Sequence, residues 1–184
     1  MAKAYIFLAD GFEEIEAITP VDLMRRAGIT VTTVSITPLK EVTGANGVTV
    51  VADTVITDID PADADLLVCP GGMPGAANLA ASTELSEMLR KQHSTGRYVA
   101  AICAAPAVTL APLGILSGKK ATCYPGLEKT LAQAGATHIS ERVVRDGNVI
   151  TSNGPSSAIP FSIALIEALC GSAAAGNVAS GILL

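Results

Sequence analysis

The sequence predicts an α/β fold in which a mostly parallel sheet is covered by helices on both faces. Three observations carry the prediction. Apolar strand-like runs alternate with segments of helical periodicity; those runs are continuously apolar rather than alternating; and the early ones end in turn signals that open the next helix. Strands read this way when helices bury them from both sides.

Ala4-Tyr5-Ile6-Phe7-Leu8-Ala9 is the first such strand, and it stops at the turn pair Asp10-Gly11. The helix after it places Ile15, Ile18, Val21 and Leu23 near helical spacing and closes at Ala27-Gly28, where glycine supplies a left-handed cap. Ile29 to Ile36, rich in Val, Ile and Thr, is a second strand lying parallel to the first after a right-handed crossover. Val42 to Ile56 reads as short extended pieces around Gly44 and Gly47. Leu66 to Cys69 is a buried strand ending at Pro70-Gly71-Gly72, and Pro74 to Ser94 is helical through Leu79, Leu85, Met88 and Leu89. Tyr98 to Ile102 is the next strand, followed by a small-residue helix, Ala104 to Leu113, with Pro106 in its first turn. Lys120 to Tyr124 reads as a brief strand and Gly126 to Ala134 as a helix. Val143-Val144 and Val149-Ile150 flank Arg145-Asp146-Gly147-Asn148, a hairpin signal. The helix Ser157 to Leu169 precedes an Ala/Gly-rich tail.

Length and composition narrow the function. At 184 residues, 49% apolar and 16% charged, the chain suits one domain over residues 1–184 with a large core, not a disordered segment. A net charge of -5, three Phe, three Tyr and no Trp argue against nucleic acid as partner. The charge-free stretch Tyr98–Gly118 is long enough to span a bilayer, but Pro106, Pro112 and Gly114 interrupt it, so no membrane association is expected. Four cysteines in dissimilar contexts, with no secretory leader ahead of the first strand, predict a cytoplasmic protein without disulfides.

Parallel sheets bind ligands at the carboxyl ends of their strands, so Asp10–Glu16, Pro70–Gly75 and Cys103–Pro106 are expected to meet. Cys103 stands between a buried strand and a helix in Ala100-Ala101-Ile102-Cys103-Ala104-Ala105-Pro106, the layout of a nucleophile elbow with alanines giving the backbone room. Unpaired N–H groups at the start of the helix favour a thiolate, so the thiol is expected to be acidic. The bland alternative is a cysteine packed as a small hydrophobe. Glu13, Glu14 and Glu16 open the first helix, where acids are favoured in any case; one of them, turned inward, would be desolvated and share its proton with sulfur, and spacing does not choose among the three. Gly71-Gly72-Met73-Pro74-Gly75 offers backbone amides but neither a phosphate-loop nor a dinucleotide fingerprint. His93 and His138 do not adjoin Cys103 and read as surface residues. Cys69, Cys123 and Cys170 read as packing residues, and no metal-ligand spacing is present.

The segments Asp10 to Glu16, Pro20 to Gly28, Pro70 to Gly72, Ala100 to Pro106 and Thr151 to Pro155, in this order over nearly the whole chain, resemble the ThiJ/PfpI superfamily and within it the parkinsonism-associated deglycase branch. The resemblance implies a flavodoxin-like three-layer sandwich that forms homodimers, with Cys103 as the reactive thiol and Glu16 as its partner carboxyl. It also implies that Gly71, Gly72 and the Ala104 amide hold an oxyanion, with Gly154 and Pro155 nearby. Two positions depart from that branch: Tyr124 stands where it has a histidine, and Asn46 where it has an arginine reaching in from the neighbouring subunit. Ala104 replaces the histidine that follows the cysteine in the protease-like branch, which disfavours peptidase activity.

The implied function is a glutathione-independent glyoxalase or protein deglycase, acting through a Cys103 hemithioacetal on a small carbonyl substrate or a glycated protein, with neither metal nor organic cofactor. The alternatives are a redox-sensing chaperone or stress-response protein in which Cys103 is oxidised, and a small cysteine hydrolase or amidotransferase-like enzyme, which needs a histidine beside the thiol.

Overall fold

The computed structural model describes all 184 residues. The chain opens with strand β1 (Lys3–Leu8), helix α1 (Glu14–Arg26) and strand β2 (Thr30–Ser35), then a small hairpin of β3 (Glu41–Thr43) and β4 (Thr49–Val51) and an edge strand β5 (Thr54–Val55). There follow β6 (Leu66–Cys69), α2 (Gly75–Ala81), α3 (Thr83–Ser94) and β7 (Tyr98–Ile102). After the elbow at Cys103 come β8 (Lys120–Ala121), α4 (Glu128–Gln133), β9 (Thr137–His138), β10 (Val143–Asp146), β11 (Val149–Ser152), α5 (Ala158–Cys170) and α6 (Ser172–Gly181).

Seven strands form the central sheet in the order β10-β11-β7-β6-β1-β2-β5, parallel except for the β10–β11 hairpin at one edge. The chain walks one way along the sheet from β1 to β2 and the other way from β6 to β7. Right-handed crossovers therefore place α1 and α3 on opposite faces. The reversal lies between β1 and β6, so the loops after β1, β6 and β7 converge at one end of the sheet. The central strands are buried throughout: Ile6, Phe7, Leu66, Leu67, Val68, Val99 and Ile102 have no exposed surface, which is why the sequence shows runs and not alternation.

Five readings change in the structure. The helical stretch expected over Pro74 to Ser94 is two helices, α2 and α3, broken at Ser82, whose side chain caps α3 by accepting from Leu85 N–H. The buried face of α1 carries Glu16, Ala17, Pro20, Val21, Leu23 and Met24, whereas Ile15 and Ile18 are exposed. Of the four apolar positions read on this helix, Val21 and Leu23 are buried as expected and Ile15 and Ile18 are not, because the rest of the inward face carries a carboxylate and a proline. The segment after Cys103 is not a regular α-helix but a π-helical turn, Pro106–Leu110, then a 3-10 turn, Ala111–Leu113, capped by Gly114 in the left-handed region. Pro112 has no N–H for the regular ladder and crowds the carbonyl one turn back, and the widened turn relieves this. Only Lys120 and Ala121 of the expected Lys120–Tyr124 strand are paired, with β9 in a separate ladder, because the Tyr124 N–H bonds the Cys103 carbonyl at 2.7 Å. The Ala/Gly-rich tail is the helix α6, which packs on α5; its alanines supply the propensity. No helix is long and apolar enough to cross a membrane.

Candidate active site

Cys103 follows β7 directly and has φ of 65°, the left-handed region that side chains other than glycine rarely occupy. Its backbone is held there from both sides: its N–H donates to Ser152 O at 2.8 Å, and its carbonyl accepts from Tyr124 N–H at 2.7 Å. The strand cannot continue and the side chain is thrown to the top of the sheet, as the small-residue sequence around it predicts. Strain of this kind costs roughly 1–3 kcal/mol and persists only where the surroundings over-determine it.

Glu16 comes to the same point from α1. Glu13 caps the helix, its carboxylate accepting from Glu16 N–H at 2.8 Å. Glu14 turns the other way and binds the β3–β4 turn through Asn46 N–H (2.8 Å) and Asn46 Nδ2 (2.9 Å). That leaves Glu16 facing inward with no exposed surface, its Oε2 accepting from Gly71 N–H at 3.0 Å. The other oxygen, Oε1, is buried without a hydrogen-bond partner, and the carboxyl interacts with the Cys103 thiol. Pro20, one turn on, has no N–H to offer the Glu16 carbonyl, so the helical ladder is interrupted at this turn.

The electrostatics follow from this enclosure. Burial pushes the Glu16 carboxyl up to about 7, helped by the charge of Glu13 and opposed by the thiol and by the Gly71 N–H. Burial, together with the Glu16 charge, pushes the Cys103 thiol up to about 12 against the Gly72 and Ala104 N–H groups directed at sulfur. The expectation of a simply acidic thiol is thus corrected. The helix-start amides are present, but desolvation and a neighbouring carboxylate outweigh them. The two groups titrate as a unit that gives up one proton at about 7 and a second at about 12, and between these it carries one negative charge. Two amides favour that charge on sulfur and one favours it on the carboxylate.

Of the other expected residues, Gly72, Ala104 and Tyr124 line the cavity over Cys103. Gly71 is adjacent, but its N–H is committed to Glu16, so of the three expected amides only those of Gly72 and Ala104 face the sulfur. Gly154 lies against the Tyr124 ring, where an added Cβ would sit 3.5 Å from Cδ2, and Pro155 begins a short 3-10 turn; neither lines the cavity. Asn46 is tied to Glu14 and is absent from the cavity within one chain. His93 sits at the far end of the sheet, its carbonyl bonded to Asn148 Nδ2 at 3.0 Å, a five-residue strand away from Cys103, or roughly 15 Å. His138 is in β9 and lines no part of the site. A Cys-His hydrolase therefore has no histidine here. Met73, Val108, Pro125 and Leu127 also line the cavity and were not singled out from the sequence; being apolar residues in loops, they carry no chemical signal of their own.

Gly71 is required by space. A Cβ there would fall 2.6 Å from both Cys103 Cβ and Glu16 Oε2. Gly71→Ala is expected to force the pair apart, lowering activity at least about tenfold and stability by roughly 1–3 kcal/mol. For a chain of this length that is a fall in Tm of about 2–12 °C, read by thermal melting beside the kinetic assay.

Comparison with known proteins shows the family and the fold. Residues 2–168 match the model of the DJ-1/PfpI family. Protein DJ-1 homolog A of Arabidopsis thaliana is 44% identical over 177 residues, covering 96% of this chain but 45% of the relative, so the chain spans less than half of that protein. Glutathione-independent glyoxalase DJR-1.2 of Caenorhabditis elegans is 33% identical over 159 residues, covering 86% of this chain and 83% of that one. The solved structure of oxidized Toxoplasma gondii DJ-1 superimposes with a TM-score of 0.95 at 37% identity, covering 100% of this chain and 98% of its own. With its flavodoxin-like sheet and its elbow cysteine, the chain belongs to the DJ-1/PfpI family.

Proposed function

We propose that this chain is a glutathione-independent glyoxalase and protein deglycase that acts through Cys103 on α-oxoaldehydes or on their early glycation adducts. The observation that carries the reading is the buried Cys103–Glu16 pair beneath an open cavity, with two backbone amides at the sulfur.

The sulfur of the singly charged pair adds to the aldehyde carbon of methylglyoxal, and the oxygen takes up the proton held by Glu16, giving a hemithioacetal. Glu16, now a carboxylate, removes the hydrogen on that carbon as a proton, and the electron pair moves into an enediol. Return of the proton to the neighbouring carbon makes a hydroxymethine and leaves a thioester on Cys103. The former aldehyde carbon is oxidised and the former ketone carbon reduced within one molecule, so no external electron carrier enters the balance. Water then cleaves the thioester, releasing lactate and restoring the thiol. Once sulfur is bonded to carbon, the Gly72 and Ala104 amides that faced its charge are left to donate to the oxygen that gains charge, a contribution of about 3 kcal/mol per good donor.

Relatedness to a glutathione-independent glyoxalase supports this reading. Ile15, Ile18, Val48, Val51 and Ile159 are large apolar side chains left exposed, which fits a second copy of the chain packing there. Four free cysteines fit a reducing cytoplasmic setting. The test is stoichiometric appearance of lactate as methylglyoxal disappears, without glutathione and in protein freed of other glyoxalases. Consumption without lactate counts against the reaction.

A second reading, oxidation of Cys103 as a sensor, is favoured by the two amides aimed at sulfur, which suit an oxygenated, anionic side chain. Mild peroxide is expected to add oxygen to Cys103 ahead of exposed Cys170, as read by peptide mass spectrometry; equal modification removes this reading.

A further inference from the structure

The walls of the cavity bear on which α-oxoaldehyde fits, a question that rests on the reaction proposed above. The cavity measures about 450 Å³, within the range of about 300–1,000 Å³ typical of pockets for drug-sized ligands. Methylglyoxal, with its single methyl substituent, leaves most of it empty. Above the sulfur the side chains are Met73, Val108, Tyr124, Pro125 and Leu127, and no charged side chain lines the space. Met73 and Tyr124 are 58% and 49% exposed, a thioether chain and a phenol ring that place apolar surface in water at the rim. The Tyr124 backbone is tied to the elbow, its N–H bonded to the Cys103 carbonyl, and one edge of its ring lies against Gly154.

No lysine, arginine or histidine lines the cavity to meet an anionic tail. The Arg142 guanidinium donates to the Ser156 carbonyl and to Ser157 Oγ. Asn46, where the related branch has an arginine, is bound to Glu14. The charge of the site is confined to its floor, at the Cys103–Glu16 pair. A carboxylate or phosphate on the substrate would be desolvated here without a counter-charge, whereas an aryl or branched alkyl group would bury apolar surface against apolar walls.

We infer that the site selects α-oxoaldehydes whose substituent is a bulky apolar group, aryl or branched alkyl, over methylglyoxal and over substrates with a charged tail, and that the apolar rim sets this preference. Phenylglyoxal and its para-carboxylate share the aryl ketoaldehyde and differ by one anionic group at the tail, so comparing them reads the effect of that group. Wild-type kcat/KM is expected to be at least about tenfold higher for phenylglyoxal than for methylglyoxal, and at least about tenfold higher than for para-carboxyphenylglyoxal. Met73→Lys, at an exposed position where folding is undisturbed, is expected to narrow the second gap about tenfold by supplying the missing cation. Equal or better use of methylglyoxal, or of the charged analogue, overturns the inference and leaves the glyoxalase reaction standing.

A second readout does not depend on turnover. N-phenylmaleimide and N-(para-carboxyphenyl)maleimide should label Cys103 at rates that differ at least about tenfold in favour of the neutral reagent, after normalisation to exposed Cys170 in the same molecule. That discrimination in a protein that converts no α-oxoaldehyde would remove the proposed reaction and keep the apolar selectivity. Equal normalised rates would remove the selectivity.

Discussion

Cys103→Ala is expected to yield a folded protein whose lactate formation is lost by at least about ten-thousand-fold, the scale seen when a covalent nucleophile is removed. No other group in the chain can take over. Cys69 lies wholly inside the sheet, its thiol pushed up to about 12 by burial, and Cys123 is pushed up to about 11 by burial and the charge of Glu128. Cys170 is exposed at the end of α5, outside the cavity. Alanine keeps the same hydrogen bonds from the 103 backbone to Ser152 and Tyr124, and it has the same Cβ to accommodate at a φ of 65°. The melting temperature should therefore move by only a few degrees, since about 1 kcal/mol corresponds to about 2–4 °C at this length. Cys103→Ser should be equally inactive, because its hydroxyl does not ionise near neutrality where the sulfur pair does. Lactate formation that survives in Cys103→Ala would falsify the covalent route.

The parts of this site differ in how plainly the sequence displays them. Ala100 to Pro106 shows the elbow because its features are local: an apolar strand, a cysteine, small residues and a proline that tolerates the first turn. The Asp10-Gly11 and Pro70-Gly71-Gly72 turns are legible for the same reason, and the strand-end rule brings them together. What the sequence does not show is long-range. Glu16 reaches Gly71 across 55 positions, and that single hydrogen bond both selects one glutamate from three and removes Gly71 from the set of free amides. Periodicity is only half right on α1, where Val21 and Leu23 are buried as read. Its outward face carries Ile15 and Ile18 while its inward face carries a carboxylate, so an apolar count points away from the chemistry. The regular helix expected after Cys103 yields to Pro112, a local effect whose outcome, a widened turn, depends on how tightly the surrounding core holds it.

Glu16→Gln separates the two tasks assigned to the carboxyl. The amide retains an oxygen for the Gly71 N–H and presents N–H groups to sulfur, so the local hydrogen bonds have replacements; it cannot move a proton between the two substrate carbons. A fall in kcat of about 10²–10⁴-fold is expected. Wild-type kcat/KM should rise as pH passes about 7, where the pair acquires its single charge, and that step should be missing in the variant. Thiol alkylation should behave differently: without the Glu16 charge, the Cys103 thiol is released from part of what raises it, and it should ionise below the wild-type second step at about 12. Stability provides the independent readout. The folded carboxyl holds its proton up to about 7, whereas its ordinary value is 4.5. The folded state therefore binds the extra proton between these values, and stability present below pH 4.5 is lost as pH rises through about 7. Above that point the buried charge costs about 3 kcal/mol. The glutamine variant does not pay it, so its Tm should exceed that of the wild type by about 6–12 °C at pH 8, with the advantage shrinking toward pH 4. A variant that melts lower than the wild type at pH 8 would mean that Glu16 serves chiefly to hold the fold together, whereas higher stability joined to lost turnover identifies a carboxyl retained for proton transfer at the expense of stability.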